Sequence, residues 1–139
     1  MIKGRGDALL REKTVACASA HRVMLLTADK RVDLLGCGMP IPVEVGTFGL
    51  EHTERRIRAL GASTTIRRAP DGSLILKDGG NALIDCHIAD LDDPARLDQR
   101  LQCLSGVLDT GLFLGLCDTV IVGTDDGVEI VETGVTRIA

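Results

Sequence analysis

The residues that could do chemistry begin at the start of the chain, in the segment Lys3-Gly4-Arg5-Gly6-Asp7. Glycines let a backbone come close to a ligand, and a helix that begins after them offers unpaired N–H groups to an anion. A plain loop that caps a helix has the same composition, and short glycine loops before helices are common. On spacing alone the plain loop is favoured, and an anion site is the alternative.

Two further charged side chains, Glu12 and Lys30, occupy positions where catalysis or ligand binding is conceivable. Glu12 lies in the triplet Arg11-Glu12-Lys13, and such a triplet usually forms a solvated helix face with weak ion pairs. The alternative is a general base that points into a cleft, and periodicity does not choose between the two. Lys30 follows a short apolar strand at its carboxyl end, where ligands of open α/β sheets gather, although a lone lysine in a turn is more often exposed.

The composition argues against several other kinds of site. Cys86 and His87 are adjacent in a predicted strand and so face opposite sides, and the remaining cysteines and histidines lack zinc-type spacing. We therefore expect no metal and no cofactor. A net charge of −4 and only two aromatic residues, both Phe, argue against a nucleic acid partner.

The cysteines and the apolar stretches bear on cellular location. The longest apolar runs are too short for a membrane span, and the first residues contain no apolar signal core. Five cysteines, an odd number without short pair spacings, indicate reduced thiols rather than a disulfide framework. We expect a cytoplasmic protein that does not bind a membrane.

The elements that must position these residues are typical of an α/β domain. The pattern predicts a helix over 7–19, with Asp7 as its N-cap, and then a short apolar strand over 23–27 of the type buried on both faces. A second strand of this type spans 119–123, and Asp126-Gly127 turns into a hairpin strand over 128–131.

A different pattern lies between these two parts. Glycines and prolines at 36–42 mark a boundary. Beyond it, a half-buried strand, a helix, three strands, a helix and a strand are predicted at 43–45, 50–60, 64–68, 73–77, 82–88, 93–106 and 107–114. This is a ferredoxin-like split βαβ with an extra hairpin strand. The predicted α/β fold is thus part of a Rossmann-like parallel-sheet domain, 1–36 and 118–139, with a ferredoxin-like α+β domain at 37–117.

Taken along its length, the chain resembles the A-type ribose-5-phosphate isomerases. Residues 1–13 are similar to that family's lysine, glycine-rich loop and "ALxREK" helix. Five more segments match the family in the same order and with similar gaps. They are 27–30 and 32–36 taken together, 39–45, 78–81, 106–113 and 126–128. Six ordered matches are far more specific than any one motif.

The resemblance implies an aldose–ketose isomerase of the non-oxidative pentose phosphate pathway, which interconverts ribose 5-phosphate and ribulose 5-phosphate through an enediolate without a metal. By match, Glu12 would be the base that moves a proton between C2 and C1. The positions that match substrate-binding residues are Lys3, Gly4, Arg5, Gly6 and Lys30. The first four would bind the sugar end and stabilise oxyanion charge, and the last would bind the phosphate. Family members commonly form homodimers or homotetramers.

The chain also departs from the family's pattern. Arg5 and Asp7 interrupt a loop that is usually all glycine, and Thr27 replaces a usual aspartate. The family's N-terminal segment, with a phosphate loop and paired aspartates, has no counterpart in these 139 residues. We therefore expect little turnover by this chain alone, and the alternative is a catalytically impaired sugar-phosphate-binding or assembly module. Strands 23–27 and 119–123 would leave an apolar face open, which predicts oligomerisation or aggregation.

Overall fold

The computed structural model describes residues 1–134 except Asp7, Asp78, Ala89 and Asp90. In chain order the elements are α1 (Leu9–Ala18), β1 (Val23–Thr27), a 3₁₀ turn (Ala28–Lys30), β2 (Ile41–Val45), α2 (Leu50–Arg58), β3 (Ser63–Ile66), β4 (Ala82–His87), α3 (Pro94–Gln102), β5 (Val107–Thr110), β6 (Thr119–Thr124) and β7 (Gly127–Glu132). The helices of this described part lack the combination of length and apolar character that crossing a membrane requires.

Four antiparallel strands form the central sheet, in the order β3-β4-β2-β5. With α2 after β2 and α3 after β4, this is the predicted ferredoxin-like arrangement. The start of α3 is also as predicted, because Pro94 is its first residue and the Asp93 carboxylate accepts a hydrogen bond from Arg96 N at 2.9 Å. The division into domains at residues 37 and 117 stays a prediction.

Strand β2 differs from its prediction, because it is buried at every position rather than on one face. Ile41, Val43 and Val45 pack with α2 and α3 in the main core. The alternate residues Pro42 and Glu44 face the opposite side, which α1 covers. A second, smaller core of Leu9, Ala16, Leu83 and Phe113 joins α1 to that face. The sheet therefore lies between two layers of helix.

A three-stranded sheet, β1-β6-β7, contains the predicted hairpin of β6 with β7 and a parallel pair of β1 with β6, which is consistent with the predicted parallel-sheet domain. The expectation that β1 is buried on both faces is wrong for this structure, since Val23 and Leu25 are exposed. In register, Leu25, Ile121 and Ile130 form one row across the three strands. We call this row with Val23 and Val128 the exposed sheet face. The apolar surface that the sequence predicts is therefore present.

Two predicted strands are shorter in the structure. The extra strand at 73–77 is reduced to isolated bridges, Arg68 with Leu74 and Leu76 with Ala82. The strand predicted over 107–114 ends at Thr110, because the chain then pairs with the first residues, through a bridge between Ile2 and Leu112. This second change brings the start of the chain against the central sheet.

All five cysteines have free thiols, as their odd number predicts. Burial, reinforced by the nearby charges of Asp85 and Glu54, raises the pKa of the Cys86 thiol to about 12. The thiolate is the reactive form, so Cys86 stays inert well above neutral pH.

We predict that N-ethylmaleimide at pH 8 labels the exposed Cys17, Cys37 and Cys103 rapidly and labels Cys86 only after unfolding. Peptide mass spectrometry after a short pulse of reagent, with and without denaturant, measures each site. Labelling of Cys86 in the native protein at the rate of Cys103 would contradict the prediction.

Candidate active site

Lys3 and Glu12, two of the predicted site residues, lie in contact. The Nζ atom of Lys3 is 3.3 Å from Oε1 of Glu12, and both side chains are partly exposed, at 29% and 39%. The backbone of Lys3 is anchored separately, because its N–H donates to the carbonyl of Gly111 at 2.8 Å. The ammonium also lies 5.9 Å from the centroid of the Phe113 ring. The carboxylate and its nearest cation thus come from two independently fixed segments.

Glu12 is positioned by the buried face of α1. Leu9, Lys13 and Ala16 form that face, and Glu12 lies at its edge, half-buried. Lys13 is 8% exposed in spite of its charge. Its ammonium pairs with the Asp109 carboxylate at 2.5 Å. The triplet is therefore not a uniformly solvated surface, and α1 is held on the sheet by an ion pair as well as by apolar contacts.

Two lysines lie close to the Phe113 ring beneath this site. Lys13 Nζ lies 5.2 Å from the ring centroid, and Lys3 Nζ lies on the same ring at a slightly greater distance. The electron-rich face of an aromatic ring attracts ammonium groups. Phe113 is itself buried and helps to join α1 to the sheet, so the two cations share one rigid support.

The glycine loop is not uniformly open. Gly4 is buried with φ of 97°, and a Cβ there would lie 3.1 Å from Cδ1 of Leu9. Its carbonyl accepts a hydrogen bond of 3.3 Å from Arg67, and Asp85 holds Arg67 through two bonds of 2.8 and 2.7 Å. Gly6, in contrast, is exposed and open. The expected helix cap, Asp7, lies outside the described residues.

A cavity of about 380 Å³ brings three predicted cations together, since Lys3, Arg5 and Lys30 all line it. Most of its remaining wall is apolar and includes Met24 and Met39. An apolar pocket with a few convergent charges is the usual form of a small-molecule site. Three cations at one cavity favour an anionic ligand.

The other predicted residues lie at the edge of this cavity or away from it. Glu12 lines a neighbouring groove, and Lys3 and Met24 border both spaces. Gly4 and Gly6 are not among the residues that line the cavity. Glu12 is therefore joined to the cavity through its contact with Lys3, which lines the cavity together with Lys30.

Lys30 lies in the turn that follows β1 and forms an ion pair with the adjacent Asp29, both side chains being well exposed. The Lys30 ammonium, together with the Thr27 hydroxyl, holds the pKa of Asp29 below its usual value. Thr27 thus supports the turn at the position where the family usually has an aspartate. An exposed pair of this kind is weak and leaves Lys30 able to bind an anion.

Sequence reasoning missed the polar groups that support the site. The bonding partners of Asp109, Arg67 and Asp85 are 18 to 96 residues away, so the neighbouring sequence does not reveal them. One feature of the sequence indicated a buried charge: Lys13 lies on a stripe of α1 whose other residues are apolar. Among the residues for which coordinates are described, no group of three or more His, Cys, Asp or Glu side chains could hold a metal ion.

Comparison with known proteins identifies the family. Residues 1–127 match the family described as ribose 5-phosphate isomerase A (phosphoriboisomerase A). A ribose-5-phosphate isomerase A from Gloeobacter violaceus is 42% identical over 130 residues, which are 94% of this chain and 56% of the relative. The chain therefore belongs to the ribose 5-phosphate isomerase A family, as the ordered motifs predict.

Solved structures confirm the fold. Ribose 5-phosphate isomerase A from Methanocaldococcus jannaschii has a TM-score of 0.90 and 31% identity, over 96% of this chain and 59% of that one. A D-ribose-5-phosphate isomerase in complex with phospho-erythronic acid also has a TM-score of 0.90, with 32% identity over 95% of this chain and 58% of that one. The chain thus spans somewhat more than half the length of these relatives.

Proposed function

We propose that this chain contributes the catalytic carboxylate and two or more cations of an active site that interconverts ribose 5-phosphate and ribulose 5-phosphate, in the non-oxidative pentose phosphate pathway. The observation that supports this most directly is the contact between Glu12 and Lys3, 3.3 Å long, beside a cavity that Arg5 and Lys30 also line. We further propose a cytoplasmic location, which the five free thiols support.

In the proposed reaction, Glu12 takes the proton from C2 of the aldose and returns it to C1. The hydroxyl proton moves from O2 to O1, so that an enediolate forms and collapses to the ketose. In this proposal the Lys3 ammonium offsets the negative charge that develops on a substrate oxygen, and its contact with Glu12 supports that role. The reaction requires no electron acceptor, because the substrate is oxidised at C2 and reduced at C1.

We propose that Lys30 binds the phosphate, with Arg5 as a second cation. Lys30 follows the carboxyl end of β1, the usual edge for ligands in an α/β sheet. The relative solved with phospho-erythronic acid supports a phosphorylated ligand for this fold. That the backbone of Gly4, Arg5 and Gly6 binds the sugar end stays a prediction, and Gly6 is the more accessible of the two glycines.

Calorimetric titration with phospho-erythronic acid and ribose 5-phosphate tests this assignment. We expect binding that weakens about tenfold or more in Lys30→Ala, since a charge-assisted hydrogen bond is worth roughly 1.5–3 kcal/mol. Arg100→Ala, a change on the polar surface of α3, serves as the matched control and should bind like the parent. Identical affinity in Lys30→Ala would remove Lys30 from the site.

A binding module without turnover is the second candidate, and the side chain of Arg5 favours it. Arg5 adds a bulky cation to the cavity where the family usually has glycine. Such a side chain strengthens anion binding but occupies space near the reacting sugar. Ligand binding by calorimetry, combined with no ketose formation from ribose 5-phosphate in the complete gene product, would support this candidate over the isomerase.

We also propose that the protein is a homodimer or homotetramer that covers the exposed sheet face. Leu25, Val128 and Ile130 are 78%, 68% and 64% exposed and lie together on that face. Contiguous apolar surface of this kind usually marks an interface.

We predict that Leu25→Lys combined with Ile130→Lys yields monomers, measured by sedimentation velocity. Leu108→Lys, on the other sheet at a residue 47% exposed, is the control and should leave the assembly intact. A parent protein that sediments as a monomer over micromolar concentrations would end this proposal.

A further inference from the structure

A buried carboxylate outside the proposed reaction lies beside the start of α1. Glu44, in the middle of β2, is only 4% exposed. Its Oε2 accepts a hydrogen bond of 3.3 Å from the backbone N–H of Leu10, and its Oε1 accepts one of 2.9 Å from the Asn81 amide. Burying a charge is costly unless it is well bonded, so the position of Glu44 calls for a role.

The N-cap residue of α1 does not cap the helix with its side chain. The N-cap residue, Ala8, has no side chain that could accept a hydrogen bond from the first turn. The first N–H groups of a helix have no partner within the helix, and a negative charge near them is favourable. Glu44 supplies both an acceptor and a charge, from a strand 34 residues further along the chain. It therefore caps the first turn of α1 from β2.

The same turn of helix contains Glu12. Leu10 is the second residue of α1 and Glu12 the fourth, and the N–H of Glu12 donates to the carbonyl of Ala8 at 2.8 Å. Any shift of this turn moves the Glu12 carboxylate. Lys3 would not follow that shift, because its backbone is bonded to Gly111. The contact between Lys3 and Glu12 thus depends on how firmly the first turn is held.

The charges around Glu44 fit this arrangement. A small cavity of about 110 Å³ lies at the same point, and it is lined by Glu44, Asn81, Arg11 and Lys77. The carboxylate therefore shares this cavity with two cations and an amide, and positive charge nearby makes a buried negative charge less costly.

We propose that Glu44 is a positioning residue. It holds the first turn of α1 from β2 and so sets the Glu12 carboxylate against Lys3. The catalytic consequence rests on the proposed function, whereas the placement itself is measurable in this chain without any turnover.

Three variants separate the contributions of Glu44. Glu44→Gln keeps an acceptor for Leu10 and, with the Asn81 amide turned over, keeps the second bond as well. Glu44→Asp keeps the charge but is one methylene too short to reach Leu10. Glu44→Leu keeps the volume and removes both bonds. Glu54→Leu is the matched control, because Glu54 is a carboxylate 14% exposed on α2, across the sheet, and bonded to Arg58.

Zero-length carbodiimide coupling between Lys3 and Glu12, quantified by peptide mass spectrometry, reports their contact. We expect Glu44→Gln to couple like the parent, and Glu44→Asp and Glu44→Leu to lose most of the product. Exchange of the Leu10 amide should rise about tenfold in the same two variants while the β4 amides are unchanged. A purely structural role predicts that Glu54→Leu lowers the coupling equally, and this result would overturn the proposal.

The proposal would also be overturned if folded Glu44→Asp gave as much Lys3–Glu12 coupling as the parent. This variant therefore decides the test even if Glu44→Leu does not fold. In a polypeptide with isomerase activity, Glu44→Asp should lower kcat by roughly 10- to 100-fold with little change in KM, because a small misplacement of a catalytic group has effects of that size. Coupling could fall in Glu44→Asp while the longer polypeptide without any substitution shows no turnover. This pair of results would refute the proposed isomerase activity, and the placement of Glu12 by Glu44 would still stand.

Discussion

Glu12→Gln will lower the kcat of ribose 5-phosphate isomerisation by roughly 10²–10⁴-fold in any polypeptide of which this chain is the active part. Glutamine has the shape of glutamate, and an amide oxygen still accepts a hydrogen bond from Lys3 at the same place. The amide cannot take a proton from C2 and return it to C1. KM should change little, because the lost interaction is specific to the transition state.

A direct assay of proton transfer distinguishes this effect from misfolding. In deuterated water the parent should exchange the transferred hydrogen of ribose 5-phosphate, and Glu12→Gln should not. Glu51→Gln, an exposed carboxylate in the first turn of α2, is the control and should retain the parent rate. Retained exchange in Glu12→Gln would remove this residue as the base, and the ordered motif matches would then need another carboxylate at the cavity.

The features that the sequence predicted correctly are those with local causes. The start of α3 follows from Asp93 and Pro94, which act within one turn. The hairpin of β6 and β7 follows from residues that favour a turn, although the turn lies at 125–126, one residue before its predicted position, and the order of helices and strands follows from periodicity. Even the open apolar face was predictable, because apolar residues predominate in β1 and in the first part of β6.

The features that the sequence did not reveal depend on distant partners. The burial of β2 on both faces requires α1 behind it, and the pattern of β2 hides this because Glu44 is polar but bonded. Lys13 looked like a surface charge because its partner, Asp109, is 96 residues away. Periodicity could not choose between an exposed and a catalytic Glu12. The contact with Lys3 arises because 111–113 pair with the first residues, and this pairing has no local signal.

That pairing depends on one glycine, and Gly111→Ala will destabilise the fold by about 2–3 kcal/mol, the usual range for overpacking in a rigid site. A Cβ at Gly111 would lie 2.7 Å from Cδ of Pro42 and closer still to the carbonyl oxygen of Lys3. Rotation of a side chain cannot relieve the clash, because the colliding atoms belong to backbone and to a proline ring. The backbone bonds from Gly111 to Pro42 and Lys3, 2.6 and 2.8 Å long, hold the three segments together.

Urea unfolding followed by circular dichroism measures the loss, and Gly46→Ala is the matched control. Gly46 directly follows β2 in the same sheet, and a Cβ there has its nearest neighbour at 3.9 Å. It should therefore change stability by no more than about 0.5 kcal/mol. Equal unfolding midpoints for the two variants would show that the segments around Gly111 give way easily. In that case Lys3 is not firmly anchored, and its contact with Glu12 must be maintained by α1 and the Phe113 ring alone.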